Sequence, residues 1–145
     1  MMRVCIAYES KYGNGKKCME YLQNVISKKG HKVKMFSVHE KEPTLVPSAD
    51  LYVFSSPTHM GDPAGKMVKF LKKMQISNDG ANYSLVTTCM KPPKTKCLKK
   101  MEKILTKRGL SKVSDGVMIK VTGMKGPLES GFERMLDEFA DNILK

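Results

Sequence analysis

Residues 3–29 read RVCIAYESKYGNGKKCMEYLQNVISKK, and the fold turns on how this stretch is divided. Arg3 to Tyr8 is a short, nearly continuous apolar run, the mark of a strand buried on both faces. Residues 9–15 (ESKYGNG) are turn-rich. Beyond them Cys18, Leu22, Val25 and Ile26 fall at helical spacing, and Gly30 stands where a helix of that length would stop.

The same alternation continues outward. His31 to Val38 reads as a second strand, and residues 40–49, with Pro43 and Pro47, as a loop. Residues 51–54 form a third apolar strand, followed by an expected long loop over 55–63 (SSPTHMGDP). Ala64, Met67, Val68 and Leu71 mark a helix with Pro63 near its first turn. Tyr83 to Cys89 is a fourth strand, and residues 90–95 a Pro-Pro loop. Leu98, Met101, Ile104 and Leu105 mark a helix ending at Gly109. Residues 117–121 form a fifth strand, and Phe132, Met135, Leu136, Phe139 and Ile143 the stripe of a last helix. Apolar strands alternating with helices predict an α/β fold, a parallel sheet covered on both faces. Right-handed crossovers leave few topologies. The expectation is a three-layer, doubly wound, five-stranded parallel sheet of order 2-1-3-4-5, formed by residues 1–145 as a single domain.

A chain of 145 residues suits one domain and can bury a substantial core. No apolar run is long enough to span a membrane, and the first residues lack a signal-peptide pattern. A soluble, cytoplasmic protein is therefore expected, with no membrane insertion. Cys5, Cys18, Cys89 and Cys97 form no C-x-x-C pair and no zinc pattern, so neither a disulfide nor a metal is expected. The net charge of +12 is high for this size. It admits nucleic acid, an anionic membrane surface or an acidic protein as partner. With no nucleic-acid module and no aromatics interleaved among the lysines, an acidic protein ranks above nucleic acid.

In a sheet of this order, ligands bind beyond the carboxyl ends of the strands, where the strand order reverses. The loops after strands 1, 3 and 4 converge there. In the first, Ser10 offers a hydroxyl, and Gly13 and Gly15 permit close backbone approach. Asn14 can cap the helix that follows and tolerates a left-handed conformation. That helix turns its free N–H groups and positive dipole end toward the loop, and Lys11, Lys16 and Lys17 add charge. A phosphate would fit; so would an ordinary capped turn with no ligand. The P-loop pattern G-x-x-x-x-G-K-[ST] and the dinucleotide pattern G-x-G-x-x-G are both absent. Strand 3 ends in Ser55 and Ser56 rather than in an aspartate, which excludes a phosphoacceptor receiver.

Ser10-Lys11-Tyr12-Gly13-Asn14-Gly15 resembles the phosphate-binding signature of the flavodoxin family, and residues 49–63 (ADLYVFSSPTHMGDP) resemble its third strand and second flavin loop. The element order agrees over nearly the whole chain, and the absence of an insertion in the fifth strand resembles the short-chain subgroup. The resemblance implies FMN as cofactor. Ser10, Tyr12, Gly13, Asn14 and Gly15 would cradle its phosphate, with Lys11 in the same loop. Ser56, Pro57 and Thr58 would lie beside the ribityl chain. His59, Met60 and Gly61 would flank the isoalloxazine, and Thr88, Cys89 and Met90 would approach it from strand 4. Three departures stand out. Gly15 replaces the usual threonine. No tryptophan is present, so His59, Met60 and Met90 replace the usual aromatic covers. The chain is basic where the family is typically acidic. The implied function is an FMN-dependent electron carrier with no catalytic residue of its own, docking an acidic redox partner. The alternatives are an FMN-dependent NAD(P)H:quinone or disulfide oxidoreductase, and a flavin-free binding module of the same fold.

Overall fold

A computed structural model describes residues 1–76, 80–90, 95–123 and 125–145. The elements in order are β1 (Arg3–Tyr8), α1 (Asn14–Lys28), β2 (Lys32–Ser37), a 3-10 turn (Pro43–Leu45), β3 (Leu51–His59), β4 (Asp62–Pro63), α2 (Gly65–Lys73), β5 (Asn82–Cys89), α3 (Lys96–Lys107), β6 (Ser111–Lys112), β7 (Val117–Lys120) and α4 (Phe132–Ile143). β2, β1, β3 and β5 lie side by side in parallel register. β6 runs along residues 82–83 of β5, and β7 along residues 86–89, both parallel to it. Together they fill one strand position, so the order is the expected 2-1-3-4-5.

The burial pattern explains the layering. β1 and β3 are inner strands, and their apolar runs are buried on both faces. Side chains on one face (Ile6, Val53, Val86) pack with Cys18, Met19, Leu22 and Ile26 of α1 and with Leu136, Phe139 and Ile143 of α4. Those on the other face (Tyr52, Phe54, Tyr83) pack with Met67, Phe70 and Leu71 of α2 and with Leu98, Met101 and Leu105 of α3. β2 is an edge strand with Lys32 and Lys34 exposed, which protects its open side from pairing. No helix among the described residues is long and apolar enough to cross a membrane.

Three local readings need correction. First, residues 55–59 are not loop: β3 runs on to His59 and turns back as a hairpin, pairing Thr58 with Pro63 and His59 with Asp62. The connection is two residues, Met60 and Gly61, with φ of 52° and 88°. Positive φ at both positions is the type I′ turn that suits the strand twist. Second, the fifth strand position begins earlier than read: the two-residue β6, Ser111–Lys112, precedes the strand expected at 117–121, which stands as β7. At Gly116 a Cβ would lie 2.8 Å from Leu98 Cδ2 and 3.1 Å from the Leu85 carbonyl oxygen, so the chain returns to the sheet where only glycine fits. Third, Asn14 does not cap α1: it is the first helical residue, and Gly13 precedes it as N-cap. The expected Pro-Pro loop falls on residues 91–94, which lie outside the described residues.

Candidate functional site

A cavity of about 450 Å³ opens at the carboxyl ends of β1, β3, β5 and β7. That volume lies within the roughly 300–1,000 Å³ of small-molecule sites. Three loops that are distant in sequence meet at it. From the first come Ser10, Lys11, Tyr12, Asn14 and Gly15; from the second, Pro57, Thr58, His59 and Met60; from the third, Thr88, Cys89 and Met90.

The first loop is built for close approach. Gly13 N–H donates to Ser10 Oγ at 3.1 Å, closing a tight turn. Gly13 holds φ at 92° and accepts the Lys17 N–H through its carbonyl at 2.9 Å. A Cβ at Gly13 would meet nothing within 4 Å, so glycine is required there for its backbone angle and not for space. At Gly15 a Cβ would make only ordinary contacts, 3.5 Å to the Glu9 carbonyl and 3.7 Å to Ser10. Among the described residues no side chain caps α1, and its first turn carries no acid. Its leading N–H groups have no intrahelical acceptor, and Ser10 still has its own O–H to donate. This donor set matches a phosphate. Lys17 points elsewhere, its Nζ 5.7 Å from the centre of the Phe132 ring, while Lys11 Nζ lies 5.4 Å from the Tyr12 ring centre.

The second loop divides its residues between two jobs. Pro57, Thr58, His59 and Met60 face the cavity. Ser56 does not: it is buried, donating its hydroxyl to the Pro57 carbonyl at 3.0 Å and accepting the Ala64 N–H at 2.9 Å. The bond from Ala64 joins β3 to the start of α2. Gly61 is also absent from the cavity wall; as second residue of the turn it packs on Lys96, whose Cδ would lie 3.3 Å from a Cβ there. Met60 is 99 % exposed at the tip of the hairpin. Its left-handed backbone is uncommon for a long side chain and is enforced by the hairpin. In the third loop, Thr88 is buried and Met90 exposed. Burial raises the Cys89 thiol above its ordinary range, against the pull of Lys120, so Cys89 is a protonated thiol in the wall at neutral pH.

Two wall residues carry no signal in the sequence. Val121 follows β7 and bridges to Leu128. The loop between them is closed by the Thr122 N–H and hydroxyl, both donating to the Pro127 carbonyl at 2.9 and 3.0 Å. Asn14 leans on this loop, its Oδ1 lying 2.6 Å from where a Cβ on Gly126 would stand. Glu9 is the other. Its side chain is 10 % exposed, and its Oε1 lies 2.7 Å from His39 Nε2. Oε2 is buried with no hydrogen-bond partner among the described residues. His39, just past the end of β2, is thus tied to a residue of the cavity wall. Among the described residues no cluster of histidine, cysteine and carboxylate side chains could hold a metal.

A sequence profile of the Flavodoxin domain matches residues 5–120, from β1 through the end of β7. The chain belongs to the flavodoxin family. No curated protein sequence matches it. Among solved flavodoxins, oxidised Flavodoxin 1 from Bacillus cereus superposes with a TM-score of 0.82 at 16 % identity, over 98 % of this chain and 97 % of that one. The Fusobacterium nucleatum flavodoxin bound to flavin mononucleotide superposes at 0.75 with 15 % identity, over 99 % and 98 % of the two chains. The fold is also shared by part of a larger protein: rubredoxin oxygen:oxidoreductase from Desulfovibrio gigas matches at 0.80 with 18 % identity, over 97 % of this chain but 35 % of that one. At these identities the likeness is one of fold.

Proposed function

We propose that this flavodoxin-family protein binds FMN in the cavity and transfers electrons. The observation that carries the reading is the glycine turn at Gly13: it leads into an uncapped, acid-free helix start that opens on a cavity of cofactor size. Bound there, FMN would supply the redox chemistry, and the protein would supply placement and electrostatics. The Ser10 hydroxyl and the N–H groups from Asn14 onward would hold the phosphate. Lys11 and Tyr12 would border it, and Gly13 would set the turn. Thr58 and Pro57 would line the path of the ribityl chain. His59 and Met60 would cover one side of the ring, with Thr88, Cys89 and Met90 on the other. Ser56 and Gly61 would act at one remove, by fixing the hairpin that presents His59 and Met60.

A second reading, an FMN-dependent NAD(P)H:quinone or disulfide reductase, is favoured by one observation. His59, Met60 and Met90, which would cover the ring, are exposed and no tryptophan is present, which would leave room for a second substrate. The two readings differ in turnover. FMN-loaded protein reduced by dithionite is expected to give its electrons to ferricyanide, while NADH and NADPH with a soluble quinone are not consumed. Steady NAD(P)H oxidation would assign the protein to the reductases. Protein that takes up no flavin would leave only the flavin-free binding module.

A further inference from the structure

The positive charge of this protein is not spread evenly. Between Asp62 and Arg108 stand twelve basic residues and three acidic ones, and this segment spans α2 and α3. These two helices cover the same face of the sheet. On α3, Lys96, Lys99, Lys100, Lys103 and Lys107 recur at spacings of three and four, which places them on one face. The first four line a single shallow depression with Asp62 and Thr95. Asp62 answers Lys96 and Lys100 at 3.4 and 3.7 Å. Lys99 and Lys103 pair with no carboxylate among the described residues. Like charges four apart on a helix destabilise it, and positive charge in the first turn opposes the helix dipole. The row therefore works against the isolated fold, and an external anion would relieve it.

Its position gives it a purpose. The row starts at the β3–β4 hairpin, where Lys96 packs on Gly61, and the neighbouring residue Met60 projects beside the cavity mouth. An exposed apolar tip flanked by charge, next to the site, is the layout of a protein docking surface with an apolar centre and a charged rim.

We infer that Met60 and the lysine row of α3 form the docking surface for an acidic redox protein. Naming a redox protein rests on the electron-transfer reading; the surface itself does not. A membrane is disfavoured because the apolar stripes of both helices are buried in the core, leaving nothing to insert. Nucleic acid is disfavoured by side-chain chemistry, since phosphate recognition favours the arginine fork. All three arginines of this protein are engaged elsewhere: Arg3 with Asp50, Arg108 with the Leu71 carbonyl, and Arg134 with Glu138. Lysines act as point charges, suited to fast and reversible electrostatic encounter.

The test is calorimetric titration of the full chain, with and without FMN, against a strongly acidic plant-type ferredoxin at low salt. Two variants of equal charge change are compared: Lys99→Glu/Lys103→Glu on α3 and Lys32→Glu/Lys34→Glu on the far edge strand. All four lysines are exposed, so both variants should fold. The α3 pair is expected to weaken ferredoxin binding by about tenfold or more, and the edge pair by about twofold or less. Raising the salt should abolish the difference. Equal loss in both variants, or loss in neither, overturns the inference. So does tighter binding of a short DNA duplex, of anionic vesicles, or of a second copy of this chain that the α3 variant removes. Ferredoxin binding that survives in a protein unable to take up FMN sinks the electron-transfer reading and leaves the surface standing. Intact FMN uptake without α3-dependent docking does the reverse.

Discussion

Replacing Gly13 with valine is expected to leave the protein folded and to remove the proposed FMN binding. Gly13 sits at φ 92° between the Ser10 turn and the first residue of α1. A β-branched side chain in that region costs roughly 1–3 kcal/mol, which a fold with this much buried surface should survive. The strain is relieved by rotating the backbone out of the left-handed region. That rotation breaks the Gly13 N–H bond to Ser10 Oγ and re-aims the helix N–H groups. Nothing lies within 4 Å of a Cβ at this position, so the loss would be conformational and not a clash with the protein. Losing two charge-assisted hydrogen bonds corresponds to about a hundredfold in affinity or more. Gly15→Ala is the control. Its Cβ would make only ordinary contacts at 3.5–3.7 Å, and alanine within a helix is favoured over glycine by up to ~1 kcal/mol. That variant should bind FMN within a few-fold of the parent and melt slightly higher. A folded Gly13→Val protein with parental FMN affinity would remove the first loop from the site.

Alkaline pH should destabilise this protein through two buried cysteines that do not line the cavity. Cys5, on β1, and Cys18, on α1, are 1 % and 0 % exposed. Burial pushes both thiols from the ordinary 9.0 up to about 12, against the pull of Lys41 and Lys34 on Cys5 and of Lys17 on Cys18. A thiol whose pKa is raised by folding keeps its proton in the native state while the unfolded chain loses it. The stability it contributes is therefore complete below pH 9 and falls as pH rises toward 12. At pH 11 the loss is roughly 2–3 kcal/mol per thiol, or about 5 kcal/mol for the pair. Denaturant unfolding between pH 8 and pH 11 measures it. A Cys5→Ala/Cys18→Ala protein, though weaker at neutral pH through lost packing, should show a much shallower decline. An identical slope in parent and variant would mean that other groups control the alkaline limb.

The sheet was legible because its inner strands are apolar without interruption and its helices carry regular stripes. Residues 3–8, 51–54 and 83–89 could bury both faces only in a sheet sandwiched between helices. What failed to read was decided by partners remote in sequence. The second half of β3 holds Pro57 and leads to Met60-Gly61 and Pro63, breakers by local chemistry. It is strand because β4 folds back on it and β5 flanks it. Between β6 and β7, Gly116 sits where a Cβ would crowd Leu98 and the Leu85 carbonyl, both remote in sequence. Within the site, the loops were found from the topology, since the crevice of such a sheet has a fixed place. Individual roles were harder to read. Ser56 looks like a ligand hydroxyl in a list of residues, but the backbone of Ala64 and Pro57 claims it. Glu9 gives no signal beside the loop it precedes, because its partner His39 lies 30 positions away, at the end of a neighbouring strand.

The central claim is that one FMN is held by its phosphate at the start of α1. Titrating the flavin-stripped protein with FMN and with riboflavin, followed by quenching of flavin fluorescence, tests it most directly. The two ligands share the ring and the ribityl chain and differ only in the phosphate. The account predicts saturation at one FMN per chain and riboflavin weaker by about a hundredfold or more, the scale of two charge-assisted hydrogen bonds with the helix dipole added. Equal affinity for the two ligands, or no quenching by FMN, would contradict it.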